Sequence, residues 1–203
     1  MSDLTLLIPA AGNARRMRGA DKLTQEVGGQ PLLHRQVSAA LATGQQVVVT
    51  LPPSDHPHHA GRLAALAGLP VVIEEVPDAA SGLSASLRRG LLPIGEETQG
   101  LMILLPDLPD LAESDLEMLI AAFLETPDQI LRATTEDGRP GHPVILPRRL
   151  FAGLIRLTGD SGARDIVQTE ALAGRVRHIA LKGDRALTDL DTPEDWAAWR
   201  ARP

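Results

Sequence analysis

The sequence predicts an α/β fold, a mostly parallel sheet layered between helices with one antiparallel strand, and three observations carry that prediction. Short branched apolar runs recur, segments of helical periodicity alternate with them, and one proline-rich run interrupts the pattern late in the chain. The runs LTLLIP (4–9), QVVVTL (46–51), PVVIEE (70–75) and GLMILLP (100–106) are too short for helices and read as buried strands. Between them PLLHRQVSAALATG (31–44) opens on Pro31 and closes on Gly44, and ASLRRGLL (85–92) reads as a second helix. SDLEMLIAAFLE (114–125) is expected to start with Ser114 as cap and Glu117 reaching back, and TPEDWAAW (192–199) to start with Thr192, Pro193 and Asp195. RPGHPVILPRRL (139–150) sets three prolines around VIL, which points to an edge or antiparallel strand. LPPSDHPHH (51–59) reads as a surface loop at most.

With 203 residues and 43% hydrophobic content the chain can bury one core, so a single domain over residues 1–203 is expected. A net charge of -6 argues against a general nucleic-acid or anionic-membrane binder. No cysteine occurs, which removes disulfides, thiolate metal sites and a cysteine nucleophile. No apolar run approaches the roughly 20 residues of a membrane span, and the start MSDLTLLIPAAG lacks the basic region of a signal peptide. A cytoplasmic location is the expectation.

Against that acidic total, Arg15, Arg16, Arg18 and Lys22 put four cations within eight residues, straight after an apolar run and Gly12. A strand, a glycine-bearing loop and cations form the general recipe for a phosphate site, because backbone N–H groups and positive side chains converge there. Neither G-x-x-x-x-G-K-[ST] nor G-x-G-x-x-G is present, so a solvated loop face is the competing reading. LLPDLPDL places Asp107 and Asp110 just past the fourth run, where open α/β sheets bind ligands. Carboxylate oxygen suits Mg²⁺ held jointly with substrate phosphates, whereas a turn or cap role is the plainer alternative. LTDLDTPED adds Asp189 and Asp191 ahead of the last helix, with the same alternative. GDSG (159–162) has the look of a serine-protease nucleophile, but the α/β context argues against it. His56, His58 and His59 lack further ligands at fixed spacing and suit a surface loop better than a metal.

The segments AAGNARRM with DK, SGLSASLRRG, PDLP, GHPV, TGDSGARD and DLDTPEDW follow one another in an order that resembles the molybdenum cofactor nucleotidyltransferases, most closely their cytidylyltransferase branch. The resemblance covers nearly the whole chain. It implies a Rossmann-like, GT-A-like three-layer sandwich, Mg²⁺, a nucleoside triphosphate, and transfer of the nucleotide to the phosphate of molybdopterin with release of pyrophosphate. By the same resemblance Arg16, Lys22 and Asp107 are catalytic, and Ala10, Ala11 and Gly12 join Arg16 and Lys22 around the triphosphate. Gly82, Ser84 and Ser86 lie by the base and ribose, with helix capping by Ser81 or Ser84 as the plain alternative. His142 lies on the acceptor side, its alternative being a turn histidine beside Pro143. The metal falls to Asp107 and Asp191, with Asp189 the rival second ligand. The triplet AAG implies CTP, since the guanylyltransferase branch tends to carry a second glycine there. Ala14, Arg18 and Pro106 depart from the family pattern, which often has Ser, Gly and Gly at those places. A GTP-dependent enzyme, a cytidylyltransferase for another phosphorylated acceptor, and a non-enzymatic cofactor carrier serving a molybdenum-enzyme client stay open as alternatives.

Overall fold

A computed structural model describes residues 3–159 and 162–202. The four branched runs become β1 (Leu4–Pro9), β4 (Gln46–Leu51), β5 (Val72–Glu75) and β6 (Gly100–Ile103), while β2 (Glu26–Val27) and β3 (Gln30–Pro31) make a small separate hairpin. β7 (Ile130–Thr134), β8 (Pro140–Pro147) and β9 (Val176–Ala180) complete a seven-stranded sheet of order β5-β4-β1-β6-β8-β7-β9. Every pairing in this sheet is parallel except those of β8, which runs antiparallel to both β6 and β7. The expected α/β architecture with one reversed strand is therefore present.

Of the two readings its prolines allowed, an edge or an antiparallel strand, the second holds: the reversed strand lies inside the sheet. Pro140 and Pro147 stand at its ends, and Pro143 lies beyond the last β6 pair, Ile103 with Val144, where the β7 register also shifts between Arg132 and Thr134. A bulge asks no ladder N–H of the proline, so the interior position survives. Gly141 sits in the same irregular stretch, and a Cβ there would meet the Ala186 carbonyl oxygen at 2.1 Å.

The helices are α1 (Leu32–Ala42), α2 (His59–Ala65), α3 (Leu83–Gly90), α4 (Glu113–Glu125), α5 (Phe151–Leu154), α6 (Arg164–Leu172) and α7 (Pro193–Arg200). Alternation along β1 sorts them into two layers. Leu4, Leu6 and Ile8 pack with α1, α2 and α4, whereas Leu7 packs with α3, α5 and α6 on the other face. α7 closes a small core of its own, in which Trp196 and Leu190 meet Met17, Val27 and Leu32 under the cationic loop.

Two helix starts test the capping chemistry. Thr192 caps α7 as expected, accepting from Asp195 N at 3.1 Å while Asp195 accepts from Thr192 N at 2.8 Å. α4 starts earlier than expected: the cap position is Ala112, and Asp115 reaches back to its N–H at 3.0 Å. Asp115 wins over Glu117 because Arg185 also holds its carboxylate, at 2.9 Å, so one group serves the helix end and an ion pair. No described helix is long and apolar enough to cross a membrane.

Candidate active site

Three segments converge at the carboxyl ends of β1 and β6. After β1 the chain makes a loop whose residues Ala14 and Arg18 both adopt left-handed backbone, with φ of 47° and 53°. Glycine is the natural occupant of such positions, so Arg18 carries a backbone cost that the loop's other contacts must offset. After β6 the chain delivers Asp107, and Leu190 N donates to the Asp107 carbonyl at 3.1 Å, which fastens the loop before α7 beside it.

Lys22 stands between the two acidic segments. Its Nζ donates to Asp107 Oδ2 at 2.5 Å and to Asp191 Oδ1 at 2.6 Å. Burial lowers the Lys22 pKa, but Asp107 and Asp191 together outweigh it, so the net shift is upward and the ammonium is firmly charged. Arg16 donates to the second oxygen of Asp191, and Arg18 pairs with Glu194 at 2.6 Å. The side chain of Arg15 lies outside the described atoms. Asp189 is not part of the lysine cluster; its pKa is raised by burial and by the carboxylates of Asp107 and Asp191.

Asp107 Oδ1 is buried and has no hydrogen-bond partner. An anionic oxygen left unpaired in the interior is costly unless a cation joins it, and the two carboxylates offer only hard oxygen. No group of three or more acidic or histidine residues able to hold a metal occurs among the described residues. The donor set thus fits an ion of the Mg²⁺ class that takes one or two carboxylates and completes its shell with substrate phosphate and water.

Beside this cluster two adjoining clefts, of about 280 and 330 Å³, share Pro9, Gly12, Ala14 and Leu83 in their walls. Gly82 and Ser86 line the first, while Arg16, Lys22, Asp107 and Asp191 line the second. Ser84 is not brought to the cleft: it is fully buried, and its hydroxyl accepts from Arg88 at 3.3 Å. Neither Ser81 nor Ser84 caps α3, whose cap position is Gly82 at φ 94°. Ala10 and Ala11 lie beneath the cleft, Ala11 packed on Val76 and Ala85.

Leu83 also borders a third cavity, about 570 Å³, on the far side of β6. His142, Arg132, Arg164 and His178 line it among apolar side chains including Leu87 and Val144. His142 is on a strand and not in a turn; burial first, then the nearby Arg132 charge, push its pKa down to about 4. It is a neutral imidazole at pH 7, and its Nδ1 is buried without a partner.

Two features escaped the sequence. The His-rich run is more than a surface loop: His59 is buried at the start of α2, with Nδ1 2.8 Å from Pro52 O, and His56 Nε2 reaches Asn13 Oδ1 at 2.7 Å. Arg62 on α2 is fully buried, forked onto Asp21 at 2.8 and 2.9 Å. Arginine is so seldom buried that residue type gives no warning of it. Asp160 and Ser161 of the GDSG motif lie outside the described residues.

A cationic loop and an acidic pair at the switch edge of a parallel sheet define a class of enzyme, the nucleotidyltransferases that handle nucleoside triphosphates. The family comparison bears this out: the model for the MobA-like NTP transferase domain matches residues 6–176, and the chain belongs to that family. A molybdenum cofactor guanylyltransferase of Cupriavidus metallidurans is 28% identical over 95% of this chain and 92% of its own. Rv0371c of Mycobacterium tuberculosis H37Rv superposes with a TM-score of 0.81 at 28% identity, covering 98% of this chain and 97% of that one. Its crystal structure in complex with manganese superposes with a TM-score of 0.76 at 26% identity, covering 97% of each chain.

Proposed function

We propose that this nucleotidyltransferase joins a nucleoside monophosphate to the terminal phosphate of molybdopterin and releases pyrophosphate. The observation that carries the reading is the cluster of Lys22 between Asp107 and Asp191, lining a cleft that shares Leu83 with a cavity bearing Arg132 and Arg164. One side suits a metal-bound triphosphate and the other a phosphorylated ring system.

The acceptor oxygen attacks the α-phosphorus in line while pyrophosphate departs, so the chain's work is to position two anions and match developing charge. In this reading Arg16 and Lys22 exchange their carboxylate partners for phosphate oxygens when the donor enters. Asp107 and Asp191 would hold the divalent ion, Mg²⁺ by preference; when bound it supplies Lewis-acid polarisation of the phosphates. That the mycobacterial relative was crystallised in complex with manganese supports a divalent ion. Arg132 and Arg164 draw the acceptor phosphate, and neutral His142 offers a ring nitrogen to the pterin side. Nucleoside triphosphate pools are cytoplasmic, which is where this reading puts the enzyme.

The name of the Cupriavidus relative favours GTP as donor. CTP is kept as a second reading on the AAG triplet, in which Ala11, buried against Val76 and Ala85, stands where the guanylyltransferase branch tends to carry a second glycine. Pyrophosphate release measured with GTP, CTP, ATP and UTP, with and without molybdopterin, tests both readings. Release that needs molybdopterin supports the transfer, the preferred nucleotide settles the donor, and no release with any of the four refutes the assignment.

A further inference from the structure

Arg62 lines the donor cleft, yet none of the transfer chemistry above falls to it. We propose that Arg62 is a positioning residue that aims the backbone amides of Ala11 and Asn13 at the donor's phosphates and, through Asp21, sets Lys22 against them. The inference rests on the nucleotidyl-transfer reading.

The geometry is specific. Arg62 NH1 donates to the carbonyls of Ala10 at 2.7 Å and Gly12 at 2.8 Å, while Nε and NH2 fork onto Asp21. A trans peptide holds its C=O and the following N–H on opposite sides. Drawing the Ala10 and Gly12 oxygens onto the guanidinium therefore turns the N–H groups of Ala11 and Asn13 away from it. Neither amide donates to any group among the described residues, and Asn13 lines the first cleft. Asp21 is the second half of the device: its Oδ1 also accepts from Leu23 N at 3.2 Å, which fixes the turn that carries Lys22. Because the Arg62 charge is matched by Asp21, the pair adds orientation and not net charge. Only a planar fork can serve a carboxylate and two carbonyls at once, so lysine is not an equivalent.

A buried ion pair that merely stabilises the fold is the rival account. Binding of Mg²⁺-tripolyphosphate, GTP, CTP and the phosphate-free nucleosides guanosine and cytidine to wild type and Arg62→Lys separates the two, together with kcat and KM. The expected result is roughly tenfold or greater loss of tripolyphosphate and triphosphate affinity, a matching rise in nucleotide KM, and nucleoside affinity unchanged. Equal loss for nucleoside and triphosphate, or no loss for tripolyphosphate, overturns the proposal. Should Arg62→Lys fail to fold, amide NMR of the wild type decides: Ala11 and Asn13 must shift on adding tripolyphosphate, and still amides alongside measurable binding overturn it. A wild type that binds neither triphosphate nor tripolyphosphate removes the nucleotidyl-transfer reading itself and this inference with it.

Discussion

The two ends of the cleft treat charge in opposite ways. At the donor end every described cation of the loop already has an acidic partner: Arg16 and Lys22 on Asp191, Lys22 again on Asp107, Arg18 on Glu194. At the acceptor end Arg132 and Arg164 line their cavity with no carboxylate partner among the described residues, and burial followed by Arg164 lowers the Arg132 pKa. On the proposed reading the difference makes the donor end a place where ions exchange and the acceptor end a fixed positive pocket in an apolar wall. Substitutions at the first should therefore strike activity and spare the fold. Substitutions in the second half of the sheet should strike the fold first.

The largest effect is expected at Asp107. Asp107→Asn should cut pyrophosphate release by roughly 10²–10³-fold while the melting temperature stays within a few degrees; wild-type turnover in this variant would place the metal elsewhere. Asp191→Asn should follow the same pattern and Asp189→Asn a milder one, since Asp189 stands outside the lysine cluster. Next comes Lys22→Ala, for which turnover should fall at least about tenfold, or about 1.4 kcal/mol of transition-state stabilisation. It leaves the Asp107 and Asp191 carboxylates facing each other, so its melting temperature should recover when Mg²⁺ is added. Thermal melts with and without the ion read this directly.

On the other side, Gly141→Ala should lose about 1–3 kcal/mol of stability, because the added methyl meets backbone at Ala186 that no rotamer change can move. A denaturant titration with an unchanged midpoint would show that β8 yields more easily than its geometry implies. Glu170 gives a pH test in the same half. Hydrogen bonds from Arg175 and Arg149 bring its pKa down from 4.5 to about 2. A depressed carboxylate pKa contributes stability that is fully present above pH 4.5 and is lost as pH falls towards 2. Glu170→Gln should flatten that part of the melting curve and leave the curve above pH 5 parallel to wild type. The smallest effect is expected for Arg18→Gly: relief of the left-handed backbone and loss of an exposed ion pair, each on the order of 1 kcal/mol, nearly cancel.

The donor half was legible in the sequence because its strands are continuous branched runs and its site is a local charge anomaly. β1, β4, β5 and β6 lie within the four runs, and the acidic loops follow from their places after a strand or before a cap. The acceptor half was not legible for identifiable reasons. β7 and β9 read ILRAT and VRHIA, in which Arg132, Arg177 and His178 break up the apolar signal, so neither announces itself. The prolines of β8 left an edge and an antiparallel strand both open because the bulge that accommodates Pro143 is a tertiary feature. The place of Ser84 was hidden for a similar reason: its hydroxyl serves Arg88, a contact set by the turn of α3 and not by residue type.

The cluster that joins Lys22 to Asp107 and Asp191 spans 85 and 169 positions of the chain. Contacts of such long separation form late, after the intervening strands have found their places. A ribosome that has made β1, the cationic loop and β6 has made most of the donor half, but Asp191 is still to come. On the proposed reading competence is thus the last thing this polypeptide acquires during its synthesis, and a nascent or prematurely terminated copy that lacks Asp191 is expected to build the donor half of the sheet without transferring a nucleotide.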